Sequence, residues 1–147
     1  NTFETLLDQG IIPVVNENDS VSYNEIESDE KIFGDNDMLS AVVAVLCHAD
    51  KLVILSDIDG FYDKDPRLSK NAKLISRIET IDESTYKLAG GAGSRRGTGG
   101  MRTKLQAADI ATSQGIDVIV TNGSNTKALY DIVEGKKVGT LFVAHKA

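Results

Sequence analysis

Twelve consecutive residues, Gly93 to Lys104, carry Arg95, Arg96, Arg102 and Lys104 with no acid among them, a local charge of +4. Their core reads Gly97-Thr98-Gly99-Gly100-Met101-Arg102-Thr103-Lys104. Glycines at the mouth of a helix leave its first backbone N–H groups unpaired and sterically reachable, and the helix dipole favours an anion there. Lys104, one turn into a helix expected from Met101 to Ser113, can reach the same anion. The chemistry this suits is a grip on phosphate. The stretch is no Walker A loop, since the residue five after Gly97 is Arg102, and that same arginine breaks a GxGxxG dinucleotide pattern. A glycine-started helix behind a plain surface loop is the bland alternative, and the accumulation of cations argues against it.

A second group, Ser56-Asp57-Ile58-Asp59-Gly60, follows the short apolar run Leu52-Val53-Ile54-Leu55. Carboxylates at the end of a buried strand can act as nucleophile and general acid, as in the haloacid-dehalogenase phosphatases, or can line a nucleotide pocket. The phosphatase reading further requires a later pair of adjacent acids for magnesium. An EF-hand is excluded, because Gly60 falls at position 4 of the loop and Leu68 at position 12.

A third group combines Asn16-Glu17-Asn18-Asp19 with Gly34-Asp35-Asn36-Asp37. Carboxylates that take an ammonium, beside amides that take a carboxylate, suit a zwitterionic amino acid. Helix capping explains Asp35 alone but explains the whole group less well. Residues 17–37 hold eight acids against Lys31, a net of −7, so an acidic and a basic segment share one small scaffold.

These groups need elements to position them. Apolar spacing predicts helices at Thr2–Gln9, from Asp35 or Asn36 to His48, at Asp82–Leu88, Met101–Ser113 and Lys127–Val133. Strands are expected at Ile11–Asn16, Lys51–Ser56, Leu74–Ile78, Asp117–Thr121 and Thr140–Val143, with a hairpin or excursion at Val21–Ile26. Alternating strands and helices on short connections imply an α/β fold, a mostly parallel central sheet with helices on both faces. In such sheets ligands bind beyond the carboxyl ends of the strands, which marks 16–19, 56–60 and 121–124.

The 147 residues are about one domain's worth of chain, and a net charge of −6 disfavours nucleic acid and anionic lipid as partners. No apolar run approaches the ~18 residues of a membrane span. Cys47 is the only cysteine, so no internal disulfide is open to the chain, and with His48 and His145 far apart no zinc cluster forms in sequence. A cytoplasmic protein is expected, with a small molecule or another protein as partner.

The segments PVVNEND (13–19), GDNDMLSA (34–41), ADKLVILSDIDGFYDKDPR (49–67), GTGGMRTKLQAADIA (97–111) and VGTLF (138–142) together closely resemble the glutamate 5-kinase family, a branch of the amino acid kinases. The likeness runs over nearly the whole chain. Its GTGGMxTKLQAA segment is highly specific, whereas DxxGxYxxDP is shared with aspartokinases. The resemblance implies an α/β/α sandwich and transfer of a phosphoryl group from ATP, with Mg2+, to the γ-carboxylate of L-glutamate, the first step of proline synthesis.

Carried onto this sequence, the resemblance implies that Asp19 and Asn36 bind glutamate and that Ser56 and Asp57 line the nucleotide site. Thr98, Gly99, Gly100, Met101, Arg102, Thr103 and Lys104 would wrap the phosphates. Lys104 would stabilise charge on the transferring group, and Asp37 would orient the lysines that do so; no metal-ligating residue is implied. Residues 1–15 match neither the phosphate loop nor the substrate loop with which that domain begins, so 1–147 reads as its C-terminal, nucleotide-binding part, without a PUA domain. Homo-oligomerisation and feedback inhibition by proline are also implied. An aspartokinase, a haloacid-dehalogenase-type phosphatase and a non-catalytic nucleotide-binding half stand as alternatives.

Overall fold

The computed structural model describes residues 1–16, 36–90 and 99–145. Among them, α1 (Thr2–Asp8), α2 (Asn36–Leu46), β1 (Lys51–Ser56), β2 (Arg77–Ile78), α3 (Glu83–Gly90), α4 (Gly99–Ser113), β3 (Asp117–Asn122), α5 (Lys127–Val133) and β4 (Thr140–Phe142) follow in chain order. The strands form a sheet in the order β1-β3-β4-β2. Strand β1 runs parallel to β3, from Lys51 opposite Asp117 to Ser56 opposite Asn122, and β2 runs parallel to β4. Only β3 and β4 are antiparallel.

The alternation of the strands sorts the core. Leu52 and Ile54 of β1, Val118 and Val120 of β3 and Phe142 of β4 share one cluster with Ala41 and Ala44 of α2 and Leu105, Ala107, Ala108 and Ala111 of α4. One residue out of phase, Ile119 is also buried but lies outside that cluster, as do Ala128 and Ile132 of α5. Helices therefore cover both faces, with α2, α3 and α4 on one side and α5 on the other.

Helix α2 meets α4 through small residues. Asp37, Ala41 and Ala44 recur at i, i+4, i+7 on α2, and Lys104, Ala107, Ala108 and Ala111 share one face of α4, so the polar pair sits at the open end of an alanine-lined seam. Both helices stop in the same way. After α4, Gly115 takes φ +84°, its N–H reaches Thr112 O and that of Ile116 reaches Ala111 O. After α2 the same turn is made by His48, at φ +51°, with its N–H on Val45 O and that of Ala49 on Ala44 O. Each helix thus reverses into the strand that follows it, which puts the N-termini of α2 and α4 at the end of the sheet where β1 and β3 terminate.

The strand expected at Ile11–Asn16 does not form. The segment is irregular, with Ile12 and Val14 86% and 96% exposed. A strand needs a ladder of hydrogen bonds as well as apolar residues, and among the described residues nothing pairs with this segment. The strand expected at Leu74–Ile78 shrinks to Arg77–Ile78, Leu74 instead making an antiparallel bridge to Tyr62. The Val21–Ile26 excursion lies outside the described residues.

Candidate functional site

Three of the predicted residues come together at the mouths of α2 and α4. Lys104 Nζ lies 3.0 Å from Asp37 Oδ2, and Thr103 Oγ1 lies 3.0 Å from the same oxygen. The two charged side chains are only 16% and 13% exposed. An ion pair this shielded is little weakened by salt, so it fixes the position of the ammonium. Asp37 is held in turn by its place in the first turn of α2, where its carbonyl accepts from Ser40 Oγ at 2.6 Å.

The helix mouth itself is formed by Gly99 and Gly100, the first residues of α4. Gly100 has open space where a Cβ would stand. Its carbonyl accepts from Thr103 Oγ1 at 2.9 Å. Met101 packs against the core cluster. Arg102 turns away from Asp37: its guanidinium lies over the Tyr86 ring of α3, 6.0 Å from the centroid. Burial, chiefly, together with Asp109, pushes the Tyr86 phenol above its usual range, while Arg102 opposes that shift.

At the ends of β1 and β3 a second group assembles. Ser56 Oγ donates to Asp57 Oδ1 at 3.2 Å, and the N–H of Gly123 donates to Ser56 O at 2.8 Å. Asp59 joins the two strands, accepting from Asn122 Nδ2 at 3.1 Å and from Tyr62 OH at 3.2 Å. Burial first, and then the Asp59 carboxylate, raise the Tyr62 phenol above its ordinary value. Gly60, beside Asp59, has no room for a side chain, since a Cβ would stand 2.7 Å from Thr140 Oγ1. That hydroxyl accepts from Phe61 N at 2.7 Å and donates to Ile75 O at 2.6 Å, which anchors the loop behind Asp59.

Asp19 and Thr98 lie outside the described residues. Asn36, the first residue of α2, is exposed and stands with Asn16 on a groove of about 560 Å3 along α2. The groove is otherwise mostly apolar, lined by residues such as Pro13, Val15, Leu39, Val43 and Leu52. Sequence reasoning placed Thr103 among the phosphate contacts and missed that its hydroxyl also reaches Asp37. It also passed over the partnership of Asp59 with Asn122, although both lie in the strand-end segments that the sheet rule marks.

No group of three or more His, Cys, Asp or Glu side chains gathers among the described residues. A magnesium ion held mainly by phosphate oxygens and water needs no such cage. The adjacent acids after Tyr62 that a dehalogenase-type phosphatase would need are Asp82 and Glu83. Asp82 instead caps α3, accepting from Ser84 Oγ at 2.6 Å and Thr85 N at 3.0 Å.

The architecture is shared with solved structures. UMP kinase from Bacillus anthracis superposes with a TM-score of 0.55 at 20% identity, over 76% of this chain and 41% of that one. At that identity the likeness establishes the fold. The amino acid kinase family model matches residues 1–122, and the chain belongs to that family. Glutamate 5-kinase of Clostridium perfringens is 57% identical over 99% of this chain, and that of Lactiplantibacillus plantarum 52% over 97%. These alignments cover 54% and 53% of the relatives, so the chain spans about half the length of the curated relatives it matches.

Proposed function

We propose that this chain is the C-terminal, nucleotide-binding part of an amino acid kinase domain whose full-length parent phosphorylates the γ-carboxylate of L-glutamate with ATP, giving L-glutamyl 5-phosphate for proline biosynthesis. The observation that carries this reading is the shielded Lys104–Asp37 pair at the glycine mouth of α4. Similarity to two glutamate 5-kinases across nearly all of the chain supports the choice of substrate.

The reaction fits what these side chains can supply. A glutamate γ-carboxylate is already ionised at neutral pH, so it attacks the terminal phosphorus without a general base. The bond from that phosphorus to the bridging oxygen breaks, and ADP leaves with the electron pair. Two anions must approach each other, so the barrier is mainly one of positioning and charge. Lys104 supplies a fixed cation, the N–H groups of Gly99 and Gly100 supply the positive end of α4, and Asp37 holds the ammonium in place. Ser56 and Asp57 border the nucleotide, with Thr98 to Lys104 around its phosphates, while Asn36 and Asp19 take the amino acid. Magnesium, when bound with ATP, offsets charge on the phosphates.

The parent is expected to act in the cytoplasm as a homo-oligomer under feedback inhibition by proline. No helix among the described residues is long and apolar enough to cross a membrane. The test is glutamate-dependent ADP formation by the full-length parent and by its Lys104→Ala variant. Turnover that needs glutamate and falls with the lysine supports the reading. Phosphate release that needs no glutamate and disappears in Asp57→Asn would instead indicate a phosphatase.

A further inference from the structure

We infer that Thr103 is a positioning residue: its hydroxyl locks the Asp37 carboxylate in the orientation that presents Lys104 to the transferring phosphoryl group. Its kinetic consequence rests on the function proposed above, whereas its geometric consequence does not.

Neighbouring residues on a helix point about 100° apart and do not ordinarily share a contact. Thr103 and Lys104 nevertheless converge on one oxygen, Asp37 Oδ2, each at 3.0 Å. The carboxylate therefore sits in the angle between the two side chains. Lys104 defines that angle less sharply than Thr103 does, because its ammonium rides on a flexible four-carbon stem and also lies 3.5 Å from Gly100 O. Threonine is stiff at χ1, and in helices one of its favoured rotamers sets Oγ1 against the carbonyl a turn earlier. Thr103 holds that rotamer, with Oγ1 2.9 Å from Gly100 O. The rotamer thus sets where the hydroxyl stands, and the hydroxyl, by donating to Asp37 Oδ2, fixes the carboxylate.

The single hydroxyl proton has two acceptors, Gly100 O and Asp37 Oδ2. Donation to the ionised carboxylate is the stronger of the two. Without the hydroxyl, the carboxylate loses its link to the mouth of α4, and the angle at which it meets Lys104 is less sharply set.

The experiment compares Thr103→Val, which keeps shape and loses the hydroxyl, with Thr103→Ser, which keeps the hydroxyl, in the full-length parent. Loss of one hydrogen bond to a charged group predicts a fall in kcat of roughly ten-fold or more in Thr103→Val, larger than any rise in KM for ATP. Thr103→Ser should recover kcat to within about three-fold of the original. A raised KM for ATP at unchanged kcat would make Thr103 a nucleotide contact only, and equal defects in both variants would make its role one of packing; either overturns the inference.

Acylation of the Lys104 amine, followed by peptide mass spectrometry, gives a readout independent of turnover. Its rate should rise several-fold in Thr103→Val and stay near the original in Thr103→Ser. An unchanged rate in the valine variant overturns the inference even where turnover falls. Should the parent show no glutamate-dependent turnover while the acylation rates still separate, the substrate assignment fails and the positioning role stands.

Discussion

Lys104 reaches from α4 to α2 and sets its ammonium 3.0 Å from Asp37 Oδ2, with both side chains largely withdrawn from solvent. Removing Asp37 takes away the carboxylate that positions the ammonium, and removing Lys104 takes away the ammonium it positions. Lys104→Ala and Asp37→Ala in the full-length parent are each expected to lower kcat by about 10²–10³-fold, the usual effect of removing a transition-state donor. Because the two act as one unit, the double variant should be little worse than either single one. Steady-state kinetics on the four proteins checks this, and multiplicative losses would mean that the residues act separately.

The alanine seam that delivers Asp37 to Lys104 leaves no spare volume. Ala41 is fully buried, one turn beyond Asp37 on the same face of α2. Ala41→Leu should destabilise the protein by about 1–3 kcal/mol through overpacking. It should also lower kcat, since α2 is pushed away from α4. Ala41→Ser, smaller in its demand on space, should lose less of both; chemical denaturation and turnover measure the pair.

Two glycines with positive φ separate strain from collision. Gly135 has φ +79° and nothing near a notional Cβ, whereas Gly139 has φ +60° and would place a Cβ 2.1 Å from Val120 O. Gly135→Ala is expected to cost about 1–2 kcal/mol, the backbone strain alone. Gly139→Ala should cost more than about 3 kcal/mol, because the β3–β4 pairing must open to admit the methyl group. Urea titrations of the two variants give the comparison, and equal losses would refute the collision.

Thr140 is completely buried, and its hydroxyl bridges Phe61 N and Ile75 O. Thr140→Val keeps the volume but strands a buried donor, Phe61 N, and a part-buried acceptor, Ile75 O. A loss of about 2–4 kcal/mol is expected from denaturation. Thr140→Ser should retain most of the stability.

Asp82 gives the fold an acid-sensitive cap. The Ser84 hydroxyl first, and then the Thr85 N–H, hold its carboxyl below the usual carboxylate range. A lowered folded value means that the cap contributes fully above the ordinary aspartate value, about 3.9, and is lost as pH falls through the folded one. Asp82→Ala should therefore lower Tm by a few degrees near neutral pH, and the gap to the original protein should close on acidification below about pH 4. A gap that is constant with pH would count against the cap.

Where the sequence spoke through local physics, the structure follows it closely. Lys51–Ser56 and Lys127–Val133 have the expected boundaries, because an unbroken apolar run and an amphipathic turn pattern each determine their own element. Ile11–Asn16 reads as a strand from its residues alone, yet strand formation depends on a pairing partner that composition does not report. The site was legible in the same uneven way. The glycine mouth before Lys104 announces itself by charge and spacing, but the bond from Thr103 to Asp37 crosses 66 positions of sequence and comes into view only when α2 packs against α4.

That separation also bears on how the molecule is made. Closing so long a loop forfeits chain entropy before any contact repays it, so the Asp37–Lys104 pair belongs to the slow, non-local part of folding. A nascent chain can form α4 and its anion-attracting mouth early, from local interactions. It cannot seat the ammonium until β1 and β3 are aligned and both helices have docked. The fixed cation is thereby deferred to a late stage of maturation, and an immature chain can present the helix mouth before the ammonium stands beside it.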